Sequence, residues 1–173
     1  ENIGVAVFKD DTLVGELNAL ETISLLTIRN DVNRFLISIP DPLNENNDLD
    51  IYLTHTFSND IKVYTDTPSA YIKLKIELSG RIYSMANNAN YLSPEVLETI
   101  SNSCNSYLES TFSSYLYKTS KDFKSDINGF GKSALKNFIS VQDFEQYNWL
   151  DNYQNAFFDV EVDTSIKSGM LIT

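Results

Sequence analysis

The sequence predicts an α+β fold: a mostly antiparallel sheet covered on one face by a long helix and shorter helices. Three observations carry this reading. Ile72, Leu74, Ile76 and Leu78 alternate with Lys73, Lys75 and Glu77, the pattern of a sheet covered on one side only. Ile100, Cys104, Leu108, Thr111 and Tyr115 then recur at helical spacing, giving a helix with one apolar face to lay on that sheet. Strands come first, helices next and one strand last, which is the order of an α+β domain.

Taken in order, Val5 to Phe8 form a short apolar strand, Asp10-Asp11 a turn, and Leu13-Val14-Gly15 a second strand. Asn18 with Glu21 three residues later has capping-box spacing. The helix behind it places Leu20, Ile23, Leu26 and Thr27 on one face and ends near Asn30-Asp31. Phe35, Ile37 and Ile39 alternate with Arg34, Leu36 and Ser38 until Pro40 and Pro42 stop the strand. After the polar loop Asn44 to Asp48, Leu49, Ile51 and Leu53 keep period two. Beyond Ser58-Asn59-Asp60, Ile61 and Val63 continue it, which predicts a hairpin between the two runs. Ser93 is an N-cap, and Pro94 occupies the first helical position, where its missing N–H is no loss. The helix reaches at least Lys121. Shorter helical stretches lie around Ser133–Phe138 and Phe144–Tyr153, and a final strand alternates Phe158, Val160 and Val162 with Asp159, Glu161 and Asp163.

The bulk properties fit one domain, residues 1–173. The chain is 42% hydrophobic and 12% aromatic, enough apolar material for a packed core. It opens on Glu1 and reads as an excised or processed fragment. No apolar run approaches the roughly 20 residues of a spanning helix. With 24 acidic and 13 basic residues, the net charge is −11, which disfavours nucleic acid and anionic lipid as main partners. Cys104 is the single cysteine and His55 the single histidine, so an internal disulfide and a Cys/His zinc cluster are both excluded.

Four segments invite a chemical reading. Gly131-Lys132-Ser133 resembles the end of a phosphate-binding loop, but that motif needs a glycine five positions before Gly131, and Asp126 stands there. Asn44 to Asp50 is rich in oxygen ligands, yet an EF-hand counted from Asn44 needs glycine at its sixth position and glutamate at its twelfth; Leu49 and His55 occupy them. His55 is in phase with the apolar side of its strand, and no G-x-S-x-G serine accompanies it, so it reads as structural. Cys104 sits on the inward helix face, where an inert core thiol is expected. Neither catalytic residues nor cofactor or metal ligands are assigned.

Lys118, Lys121, Lys124, Lys132 and Lys136 concentrate positive charge in this acidic chain. They either complement a helix C-terminus or meet an acidic partner or lipid headgroups. Lys118, Lys121 and Lys124, at three-residue spacing along one helix edge, are the candidate contacts. Gly129 and Gly131 allow a tight turn after the helix, and Phe130 between them is a core plug or an exposed anchor for a partner. Trp149, close to Tyr147 and Leu150, is assigned to the core.

Several segments together resemble the C-terminal domain of the C-subunit lipoproteins of spore germinant receptors, the Ger(x)C family. Gly4 to Lys9, Leu13 to Leu17 and Glu21-Thr22 are similar to its strand–turn–helix start. Asp126-Ile127-Asn128-Gly129-Phe130-Gly131 resembles its D-x-x-G-F-G segment. Trp149, Phe157, Val160, Val162, Ile166 and Gly169 follow its ending. Pro40–Asp50 and Met85–Tyr91 match nothing in it. The resemblance implies a non-enzymatic C-terminal domain of a larger lipoprotein, anchored through an N-terminal region outside this sequence to the outer face of the spore inner membrane. It further implies assembly with A and B subunits into a nutrient receptor, through protein–protein contacts. The alternative is a sensor domain that holds the germinant itself.

Overall fold

Ile72, Leu74, Ile76 and Leu78 are all 1% exposed or less, and the strand carrying them, β6 (Tyr71–Ser84), is the spine of the sheet. The fold is that of a computed structural model describing residues 4–9, 11–44, 46–67, 69–84, 91 and 93–167. Asp10, Glu45, the segment 85–90 and Gly169 lie outside the described residues.

The chain begins with a separate two-stranded ribbon, β1 (Val5–Lys9) and β2 (Thr12–Leu17). Helix α1 (Ala19–Ile28) follows with both halves of its capping box made: Asn18 Oδ1 accepts from Glu21 N–H at 2.9 Å, and Glu21 Oε2 from Asn18 N–H at 2.8 Å. Its inward face differs from the expected one. Ser24, Leu25, Thr27 and Ile28 are buried, whereas Leu20, Ile23 and Leu26 are only half-buried. The helix packs against both β2 and the long helix behind it, so packing partners rather than the apolar spacing alone set its rotation.

In the main sheet, β3 (Arg34–Pro40) pairs antiparallel with β4 (Asp48–His55). Both β4 and β5 (Asp60–Tyr64) pair antiparallel with β6, and β7 (Phe157–Lys167) pairs parallel with it from Tyr71 to Arg81. A strand has two edges. Because β7 runs along one of them, β4 and β5 share the other, end to end, and the hairpin expected between them does not form. β5 instead makes its hairpin with β6. The reason lies in Asn59. Its Nδ2–H donates to the carbonyls of Thr27 (2.8 Å) and Ile28 (3.0 Å), so the turn residue closes the last turn of α1, where carbonyls lack helical partners.

Helix α2 (Pro94–Tyr117) starts at the expected Ser93 cap and buries Ile100, Cys104, Leu108, Phe112, Tyr115 and Leu116. Phe112, not Thr111, continues the four-residue stride. One position after each of the first three, Ser101, Asn105 and Glu109 seal the outer edge of β7. Val162 N–H donates to Glu109 Oε1 (3.0 Å), Thr164 N–H to Asn105 Oδ1 (2.9 Å) and Ile166 N–H to Ser101 Oγ (3.3 Å). Four residues of helix and two of strand both advance by about 6 Å, so the two ladders stay in step and an edge open to foreign strands is closed.

A π-helical turn (Lys118–Asp122) extends α2. Then come α3 (Gly131–Ala134), a 3₁₀ turn (Leu135–Asn137), α4 (Val141–Tyr147) and α5 (Trp149–Gln154). The single stretch expected over 144–153 is split at Asn148, whose φ of 52° is a left-handed conformation that asparagine tolerates. On the sheet face opposite α2, Lys73 and Lys75 make exposed ion pairs with Glu77, Asp159 and Glu161, each worth little to stability.

Candidate functional site

The most tightly built polar feature follows the π turn. Gly129, with φ of 78°, lets the chain double back so that three successive N–H groups converge on one carboxylate. Asp126 Oδ1 accepts from Gly129 N–H and Phe130 N–H, both at 3.0 Å, and Asp126 Oδ2 from Gly131 N–H at 2.7 Å. The indole N–H of Trp149 adds a fourth bond to Oδ2 at 2.9 Å. Convergent backbone N–H groups make an anion-binding concavity, and here the anion is the chain's own side chain. The resemblance of Gly131-Lys132-Ser133 to a phosphate loop ends there, because the nest is filled from within.

The same geometry accounts for the residues around it. A Cβ on Gly131 would lie 2.9 Å from Trp149 Nε1, so the indole seats only on a glycine. Phe130 is 1% exposed and meets the Tyr153 ring at 6.3 Å; of the two roles left open for it, it adopts the plug. Trp149 is 8% exposed and packs against Phe144 and Tyr153. The Tyr153 hydroxyl shares a 2.7 Å hydrogen bond with Thr119 Oγ1, and the Tyr115 hydroxyl donates to Asn128 Oδ1 at 3.1 Å. Burial raises the pKa of both phenols.

The lysines do not form one edge. Lys118 Nζ sits 2.8 Å from the Glu21 carboxylate, donates to the Glu16 carbonyl at 3.1 Å and lies 5.3 Å from the centre of the Phe123 ring. Phe123 in turn presses on Gly15, where a Cβ would come within 2.2 Å of the ring. Lys118 therefore ties the ribbon and α1 to the end of α2. Lys121 is exposed on the π turn, and Lys124 lies beyond the helix with φ of 51°. The expected alignment fails because the helix widens at Lys118 and stops at Asp122. Lys132 and Lys136 are also exposed, and among the described residues Lys121, Lys124, Lys132 and Lys136 make no ion pair.

Other groups with chemical potential are held in the packing. Cys104 is buried, and burial pushes its thiol up to about 12. His55 is half-buried, neither ring nitrogen has a partner among the described residues, and burial lowers its pKa. Just before the oxygen-rich loop, buried Asp41 accepts from Leu43 N–H at 2.9 Å and from the hydroxyl of buried Tyr91 at 2.5 Å. That bond raises the Tyr91 pKa to about 12. No group of three or more His, Cys, Asp or Glu side chains suited to a metal occurs among the described residues. An open cleft of about 530 Å³ is lined by β5 and by Ser133, Lys136 and Asn137. Sequence reasoning missed Asp126 as a hub and Asp41–Tyr91 as a pair. The only local signal for the first was a carboxylate three residues before a glycine.

These features define a class: an α+β domain with a mainly antiparallel sheet, one parallel edge strand sealed by a long helix, and a glycine loop locked on an aspartate. The family model described as Spore germination B3/GerAC like, C-terminal, matches residues 3–170, and the chain belongs to that family. A crystal structure of the GerBC protein superposes with a TM-score of 0.73 at 15% identity, covering 94% of this chain and 50% of that one. That likeness shows the shared fold, and the chain spans about half the length of that solved protein. No curated protein matches the sequence. Among the described residues, no helix is long and apolar enough to cross a membrane.

Proposed function

We propose that this chain is a non-catalytic domain of the C subunit of a spore nutrient germinant receptor, acting through protein–protein contacts with the A and B subunits. The observation that carries the reading is the family match over residues 3–170. Its physical support is that the conspicuous reactive groups serve the fold. The Asp126 carboxylate is saturated by N–H donors, the Cys104 thiol is buried, and Lys118 is paired. In the longer protein, an N-terminal lipid anchor would hold the domain at the outer face of the spore inner membrane. The test is to delete residues 1–173 from the full-length protein and recover the A and B subunits from spores. Loss of co-purification and of nutrient response supports the reading; unchanged recovery of both subunits refutes it.

The rival reading, direct germinant binding, draws on the cleft beside β5, whose Lys62, Thr65, Lys136 and Asn137 could meet a small polar nutrient. Its openness to solvent favours the contact reading. Calorimetry of the full-length protein with a panel of amino acids and sugars separates the two: saturable heat abolished by Lys136→Ala would favour the sensor.

A further inference from the structure

The most anomalous surface residue is Ile139, an isoleucine that is fully exposed. Single exposed apolar side chains are ordinary on protein surfaces, but this one has company: Val141 is 58% and Leu135 39% exposed. The segment that presents them is fixed. Phe138, immediately before Ile139, packs its ring against Phe144 at 5.5 Å and Tyr147 at 5.2 Å. Asn137 Nδ2–H donates to the Val63 carbonyl at 2.7 Å, tying the segment to β5. Ser140 caps α4, its Oγ accepting from Asp143 N–H at 3.1 Å. An exposed apolar segment held this firmly loses little freedom on binding, and desolvating it in a partner's pocket would give the setting of an interface hot spot.

We infer that Leu135, Ile139 and Val141 form the knob by which this domain seats on a neighbouring protein subunit, entering an apolar pocket with acidic groups at its rim. The identity of that neighbour rests on the receptor reading above. Charge complementarity selects the occupant. Lys132 and Lys136, one helical turn apart and on either side of Leu135, are exposed and make no ion pair among the described residues, in a chain of net charge −11. Cations left free on an acidic protein suit an acidic rim. A lipid surface fits less well, because exposed Asp143 and Glu145 follow the knob directly and would face anionic headgroups. A protein rim, unlike a uniformly anionic surface, can set its acidic groups opposite Lys132 and Lys136 alone, clear of Asp143 and Glu145.

The test uses the full-length protein in spores, beside its partner subunits. Ile139→Glu should leave abundance unchanged and lower co-purification of the membrane subunits by about tenfold or more, in the range of a hot-spot loss. Lys132→Glu with Lys136→Glu should lower it less, and Tyr83→Glu, an exposed control elsewhere, should not. A photo-crosslinking amino acid at position 139 should join the chain to the A or B subunit. Normal co-purification of Ile139→Glu overturns the proposal, whether or not a subunit crosslink forms. So does a crosslink to lipid alone, or Ile139→Glu losing affinity for phosphatidylglycerol vesicles while subunit recovery is intact. Deleting the whole domain separates the two levels. If deletion abolishes co-purification and Ile139→Glu does not, only the knob fails; if deletion changes nothing, the receptor reading itself fails.

Discussion

The turn at 126–131 and the segment at 135–141 lie three residues apart in the chain and are built in opposite senses. In the first, the apolar residue Phe130 points inward, and a ring of backbone N–H groups closes on Asp126. In the second, Phe138 packs against its aromatic neighbours while Ile139 projects into solvent. Residue type does not separate them, since both place a phenylalanine in a short irregular stretch. What differs is where the backbone polar groups find partners. The first turn closes its N–H groups on its own Asp126; the second bonds Phe138 N–H to the Leu135 carbonyl and is pinned through its side chains, Asn137 donating to the Val63 carbonyl and Ser140 capping α4, with Ile139 left facing solvent.

The contrast can be broken at several points, beginning with the largest effect. Trp149→Ala removes both a buried ring and a donor to Asp126, and should cost about 3–5 kcal/mol in a denaturant titration. Asp126→Ala leaves three backbone N–H groups and the indole N–H without their carboxylate; at the charge-assisted value for such bonds it should cost about 2–3 kcal/mol, read in the same titration. Lys118→Gln breaks the pair with Glu21 and should cost about 0.5–1 kcal/mol, lessened by salt. The changes Lys121→Gln and Lys124→Gln should lie within about 0.5 kcal/mol of wild type. If Lys118→Gln proves equally silent, its tie between α1 and α2 is wrong.

His55 gives a pH-dependent prediction. Burial lowers its folded pKa below the ordinary histidine value of 6.5, so the unfolded chain takes up its proton first as pH falls. The contribution of the neutral imidazole is complete above pH 6.5 and declines below it. Melting temperatures from pH 7 to 5 should therefore fall more steeply for wild type than for His55→Gln, and parallel curves would contradict this. Smallest of all, Ile139→Ser should shift the melting temperature by less than the error of the measurement, as expected for an exposed side chain.

Much of this architecture is legible in the sequence because it rests on local rules. The alternation of β6, the Asn18–Glu21 box and the Ser93-Pro94 start of α2 are each set within a few residues. What was not legible depends on distant partners. Asn59 turns the chain as its residue type suggests, but whether that makes a hairpin depends on the end of α1, 31 residues earlier. Lys118 reads as a free cation until Glu21, 97 residues away, is brought beside it. The inward face of α1 is set by two neighbours rather than one. The direction of Phe130 follows from the Asp126 nest, of which the sequence shows only a carboxylate three residues before Gly129 and nothing of the distant Trp149 donor.

The central claim, that one segment holds the fold while the other holds a partner, is tested most directly by two readouts on the same full-length samples. Thermal unfolding and co-purification of the A and B subunits are measured for Asp126→Ala and Ile139→Glu. Asp126→Ala should lower the melting temperature, and Ile139→Glu should leave it unchanged while the subunits are lost. An Ile139→Glu protein that melts normally and still brings down both subunits in wild-type amounts would contradict that claim.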